Sequence, residues 1–112
     1  MSEVVVVGSF KSQPGKEDEA VEAMRALVEP THGEQGCILY ALHRGLDDPS
    51  RLAFIERWAS RDELDAHLSS PHVQEILSRA EELFGDSADI VVYEPLPGGE
   101  AKKGSLAAHA GG

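Results

Sequence analysis

The chain is poor in cysteine, in aromatic residues and in positive charge. Cys37 is the single cysteine in 112 residues. It cannot close an internal disulfide, and a cysteine-based structural metal site is excluded with it. Ten Lys and Arg face twenty Asp and Glu, a formal charge of −10 with His neutral. A nucleic-acid binder needs a basic footprint to displace counterions, and anionic membranes attract the same kind of patch. Neither partner is expected here. The apolar run at residues 4–7 has no basic residue before it. It is too short for a signal-peptide core or a membrane span, so a cytoplasmic protein is expected. There is no internal repeat and no Gly-x-Ser-x-Gly elbow. Val7-Gly8-Ser9 offers one glycine only, too few for a phosphate-cradling loop.

What is present reads as one domain followed by a tail. Five of the 11 glycines fall in residues 96–112, a stretch without apolar periodicity. It reads as a flexible tail on a domain spanning 1–95. Within the domain, residues 4–10 are β-branched and aromatic and stop before Pro14-Gly15, a strand and a turn. Glu17, Asp18 and Glu19 open a helix with Ala20, Val21, Met24, Leu27 and Val28 on one face; Pro30 sets its end near Glu29, and 31–35 reads as a loop. Residues 36–44 and Arg51–Trp58 form a hairpin around the turn-rich 45–50. Leu52, Phe54, Glu56 and Trp58 share one face of the second hairpin strand, and Arg51, Ala53, Ile55 and Arg57 the other. Ser60 and Glu63 make a capping box for a helix from Arg61 to about Ser69. Ser70-Pro71 starts another helix, with Val73, Ile76, Leu77, Ala80, Leu83 and Phe84 as its stripe and Gly85 as its stop. Residues 88–93 are the fourth strand.

The order β-α-β-β-α-α-β predicts an α+β, ferredoxin-like split βαβ fold. Helices on one face leave the other sheet face bare and apolar, so a second copy of the chain is expected to cover it in a two-fold homodimer.

Candidate chemistry concentrates on a few side chains. His67 and His72 flank the helix break, five residues apart across a kink, and can converge on one spot. A metal site needs at least a third ligand, and this spacing is no zinc signature, so no metal is expected. For His72 the simpler role is capping or surface; for His67 a satisfied, partly buried ring competes with a functional one. Glu56 lies between Phe54 and Trp58 on one strand face. Burial there raises a carboxyl pKa toward that of a general acid or base, while pairing with Arg57, Arg61 or a backbone donor is the favoured alternative. Trp58 reads as a core anchor placed to line a cavity between sheet and helices, which Tyr40 shares if it points the same way. Cys37 reads as a small buried hydrophobe, and His32 and His43 as surface residues.

Gly36-Cys37-x-x-Tyr40, Phe54-x-Glu56-x-Trp58 and Leu64-x-x-His67-Leu68-x-x-Pro71-His72, after an opening Pro14-Gly15-Lys16, resemble the antibiotic biosynthesis monooxygenase family over residues 3–95. The resemblance implies a dimeric α+β barrel of ferredoxin-like subunits. It also implies a cofactor-free oxygenase that oxidises quinols or phenolic polyketide rings with O2. On that reading His67 is base or anion stabiliser, Trp58 and Phe54 pack on a small aromatic substrate, and Tyr40, His72 and Glu56 are its polar contacts. Haem-degrading members of the family carry an Asn, a Trp and a His ligand where this chain has Gly8, His67 and Leu77. Leu77 cannot ligate iron. A non-catalytic dimeric binding protein and an isomerase of a small signalling metabolite are the alternatives left open.

Overall fold

A computed structural model describes residues 2–106. Its elements are β1 (Val4–Lys11), α1 (Glu17–Arg25), α2 (Val28–His32), β2 (Cys37–Arg44), β3 (Arg51–Trp58), α3 (Arg61–Leu68), α4 (Pro71–Ser78), α5 (Ala80–Phe84) and β4 (Asp89–Tyr93). The strands form one antiparallel sheet in the order β2-β3-β1-β4. This is the α+β, ferredoxin-like arrangement that the element order predicts.

The helix boundaries differ from expectation in two places. Pro30 does not end the first helix; α1 stops at Arg25, and Pro30 lies inside the short α2. As the third residue of that helix its missing N–H is one that no intrahelical carbonyl would have received. The expected loop at 31–35 therefore begins as helix. The second difference is a break at Arg79 (φ −107°, ψ 4°), which divides one expected helix into α4 and α5. Ser60 and Ser70 cap α3 and α4 as read, each accepting from the backbone N–H three residues on. Residues 96–106 contain no α-helix or β-strand, and the rest of the expected tail, with His109, lies outside the described residues.

Alternation on the strands sorts the side chains. Val6, Tyr40, Leu52, Phe54, Glu56 and Trp58 are buried under the helices, with Ala20, Met24, Leu27, Leu64, Val73, Leu83 and Phe84 facing them. A register shift between Cys37 and Leu39 sets Cys37 opposite Trp58 and Tyr40 opposite Glu56. That bulge turns both residues, three apart, toward the helix layer. The opposite face, with Val5, Val7, Ala53, Ile55 and Val91, carries no α-helix among the described residues. One charged residue there is buried: Arg57 forks onto the Glu3 carboxylate through Nε and Nη2.

β2 can start where it does because of Gly36. Its φ of +86° is left-handed, and an added Cβ would sit 2.4 Å from the Glu63 carboxyl carbon and 2.7 Å from Glu63 Cβ. A side chain there is both strained and crowded against α3. Gly36→Ala is expected to cost at least about 1–3 kcal/mol, read as a lower urea midpoint at unchanged slope.

Candidate functional site

The α3–α4 break brings two histidines to one carboxylate. Ser70 caps α4 and also donates its hydroxyl to the His67 carbonyl at 2.6 Å, fastening the end of α3 to the start of α4. His67, in the last turn of α3, points inward and is buried. His72, second in α4, lies alongside with ring centroids 6.1 Å apart. Glu34 reaches both from the segment after α2: its Oε2 is 3.0 Å from His67 Nδ1 and 2.6 Å from His72 Nε2.

A carboxylate only accepts, so His67 Nδ1 and His72 Nε2 are the protonated, donating nitrogens. For a neutral His67 the lone pair then lies on Nε2. Burial pushes the His67 pKa below its ordinary value, against the pull of Glu34. Burial thus favours the neutral ring over the charged one.

Aromatic groups wall this ring in. Trp58 lies 4.6 Å from the His67 ring, and Tyr40 meets it edge-on at 5.3 Å. Phe54 stacks on Tyr40 at 4.3 Å. The Trp58 indole N–H donates to Glu56 Oε1 at 2.9 Å. The favoured expectation for Glu56 is pairing with Arg57, Arg61 or a backbone donor; Arg57 holds Glu3, Arg61 faces Asp65, and the donor that meets the carboxyl is the Trp58 side chain. Burial instead raises the Glu56 pKa to about 7, opposed by the indole hydrogen bond and reinforced by the charge of Glu34. Burial also drives the Tyr40 phenol far above its usual range, leaving it a hydroxyl donor. Cys37, half-buried, is pushed up to about 11 by burial and by the charges of Glu34 and Glu56, so it stays a thiol.

Between these groups and helices α4 and α5 lies a mostly apolar chamber of about 80 Å³. His67, Glu56, Tyr40 and Phe54 line it, and Gly8, Leu77 and Ile90 contribute to its walls. Gly8, His67 and Leu77, the three positions that depart from the haem-degrading pattern, thus share this chamber, and Leu77 brings only carbon to it.

Two expected site residues take other places. Trp58 does not line the chamber: at the end of β3, under α3, it is fully buried behind His67 and Glu56 and braces both. His72 stands outside the lining, partly exposed, as the second donor to Glu34. Glu34 was not singled out from the sequence. It sits in a stretch without periodicity, and the paired histidines lacking a third partner were the one signal pointing to it.

Comparison with known proteins places this site in a family. The antibiotic biosynthesis monooxygenase profile matches residues 3–79. The chain is 32% identical over 95 residues to Rv0793 of Mycobacterium tuberculosis, whose name assigns it provisionally to the monooxygenases; the match covers 85% of this chain and 93% of that one. Superposition on the structure of Rv0793 gives a TM-score of 0.81 at 30% identity, covering 88% of this chain and 100% of the other. The structure of SO0527 from Shewanella oneidensis gives 0.78 at 30% identity, covering 82% and 89%. An uncharacterized Synechocystis protein, sll1783, is 30% identical over 91 residues; the match covers 81% of this chain but 62% of the longer relative.

The raised Glu56 pKa has a stability consequence. Between about 4.5 and about 7 the folded chain binds a proton that the unfolded chain has released. Stability from this group is complete below that window and falls as pH rises through it. Glu56→Gln keeps an acceptor for the indole N–H and removes the charge. The variant should exceed the parent in stability by roughly 1–3 kcal/mol above pH 8 and lose that advantage near pH 4, in urea melts at each pH.

Proposed function

The chain belongs to the antibiotic biosynthesis monooxygenase family, and from that premise we propose that it is a cofactor-independent monooxygenase oxidising a quinol-like or phenolic polyketide substrate with O2. The observation that carries this reading is His67: an imidazole at the wall of an apolar chamber, with Nδ1 tied to Glu34 so that the lone pair of the neutral ring lies on Nε2.

The chemistry asks little of the protein. His67 Nε2 takes a hydroxyl proton from the substrate, and the resulting anion is electron-rich enough to reduce O2. A C–O bond forms at the ring and the O–O bond then breaks. One oxygen stays on the ring; the other leaves as water, with the proton His67 held and a second proton that the substrate gives up as it becomes the quinone. A quinol plus O2 thus gives a hydroxyquinone and water, with all four electrons supplied by the substrate. Glu56, near half-protonated at pH 7, and the Tyr40 hydroxyl bind the substrate oxygens. Phe54 packs on its ring, and the dry lining strengthens each polar contact. Trp58 is a positioning residue, holding His67 by ring contact and Glu56 by its hydrogen bond.

Size adds a requirement. A chamber of about 80 Å³ is well below the roughly 300–1,000 Å³ of small-molecule sites, so entry of a fused-ring substrate needs the walls to move. Leu77 and Ile90, about half-exposed, are the side chains free to swing aside.

We further propose that two chains pair through the helix-free sheet face. Val5, Val7, Ile55 and Val91, all partly exposed, give that face an apolar surface for a second copy to cover. The intact protein is expected to sediment as a dimer at low micromolar concentration, and Ile55→Asp to shift it toward monomer in analytical ultracentrifugation. A monomeric mass for the parent chain contradicts the pairing.

The functional test is oxygen uptake with menadiol or an anthrone, without added metal or flavin. His67→Ala should lower kcat at least about 100-fold while the circular dichroism is unchanged. Binding of these aromatics without oxygen uptake identifies a non-catalytic binding protein; turnover of a small metabolite without O2 identifies an isomerase.

A further inference from the structure

We propose that Glu34, His67 and His72 together form a binding site for a single divalent transition-metal ion of the Zn2+ or Co2+ class. One donor atom from each lies within 4.8 Å of the others. They come from three separate segments: the stretch after α2, the last turn of α3 and the first turn of α4. Two imidazoles and one carboxylate are the donor set that borderline divalent ions prefer over Mg2+ or Ca2+.

The spacing fits coordination. A tetrahedral ion with ligands at about 2.0–2.1 Å sets donor atoms roughly 3.3 Å apart. Glu34 Oε2 is already 3.0 Å from His67 Nδ1 and 2.6 Å from His72 Nε2. When the ion enters, each imidazole turns a lone pair to it and carries its ring proton on the other nitrogen, and side-chain rotation closes the third edge, His67 Nδ1 to His72 Nε2, which lies within 4.8 Å.

The surroundings suit a metal as well. His67 is held rigidly between Trp58 and Tyr40, which fixes one ligand in advance. Glu34 and His72 keep 18% and 25% of their side-chain surface, enough for an ion to enter and for water to complete the shell. The formal charge of −10 draws cations to the chain.

Occupancy has a chemical consequence. A metal on Nδ1 confines the His67 ring proton to Nε2, the nitrogen that the proposed function uses as acceptor. If His67 is the base proposed above, the loaded site is the resting form, and chelation releases the active one.

The test needs neither substrate nor O2, so it stands apart from the oxygenase reading. Untagged full-length protein, stripped with chelator, is titrated with Co2+ and followed by visible absorption and calorimetry. One ion per chain with an intense tetrahedral-type ligand-field spectrum is expected. Glu34→Gln, close to isosteric, and His72→Ala should each weaken binding at least about tenfold, whereas His32→Ala and His43→Ala should leave it unchanged. An unaltered aqua-cobalt spectrum overturns the proposal. So does equal affinity in Glu34→Gln and His72→Ala variants whose circular dichroism matches the parent.

Discussion

One carboxylate oxygen organises the site. Glu34 Oε2 receives an N–H from each of two histidines on consecutive helices, and so decides which nitrogen of a neutral His67 keeps its lone pair. Without it the ring could carry its proton on either nitrogen. The helix break is what makes the convergence possible. An unbroken helix would separate residues 67 and 72 by more than a turn, on different faces. Ser70, capping α4 while bonding the His67 carbonyl, holds the kink at the angle that brings both rings to Glu34.

Beneath that contact lies a second polar element set into the core. Glu56 is buried with one described partner, the indole N–H of Trp58. Ionising a carboxyl there costs about 1.4 kcal/mol for each unit its pKa is raised. Fully burying a large apolar side chain such as Phe54 contributes roughly 1.5–3 kcal/mol, and the core holds many of them. The fold therefore carries one uncomfortable carboxyl without being defined by it. Burial moves Glu56 up and His67 down, each toward its uncharged form, and both line one small chamber.

Trp58 illustrates how a residue matters without touching the chamber. A tryptophan closing β3 beside Glu56 reads naturally as part of a pocket wall. In the fold the indole fills the space behind the wall, under α3, because nothing smaller would pack there. Its influence passes through the two groups it holds, the His67 ring and the Glu56 carboxyl.

Local pattern was enough for much of the architecture. Alternation over Arg51–Trp58 placed Phe54, Glu56 and Trp58 on one face, and the Ser60 and Ser70 caps marked both helices that carry the histidines. The period of the apolar residues, not their identity, carried that information, since it depends only on backbone geometry. Pro30 misled because a proline at the third position of a helix looks in sequence like one that ends it. Glu34 was invisible because its role is a contact 33 and 38 residues away along the chain. No local spacing encodes such a distance. The sequence by itself determined which faces of the strands and helices are apolar. Only the tertiary structure decided which polar atoms meet inside, because that depends on the angle at a helix break and on a bulge in β2, both set by packing of the whole.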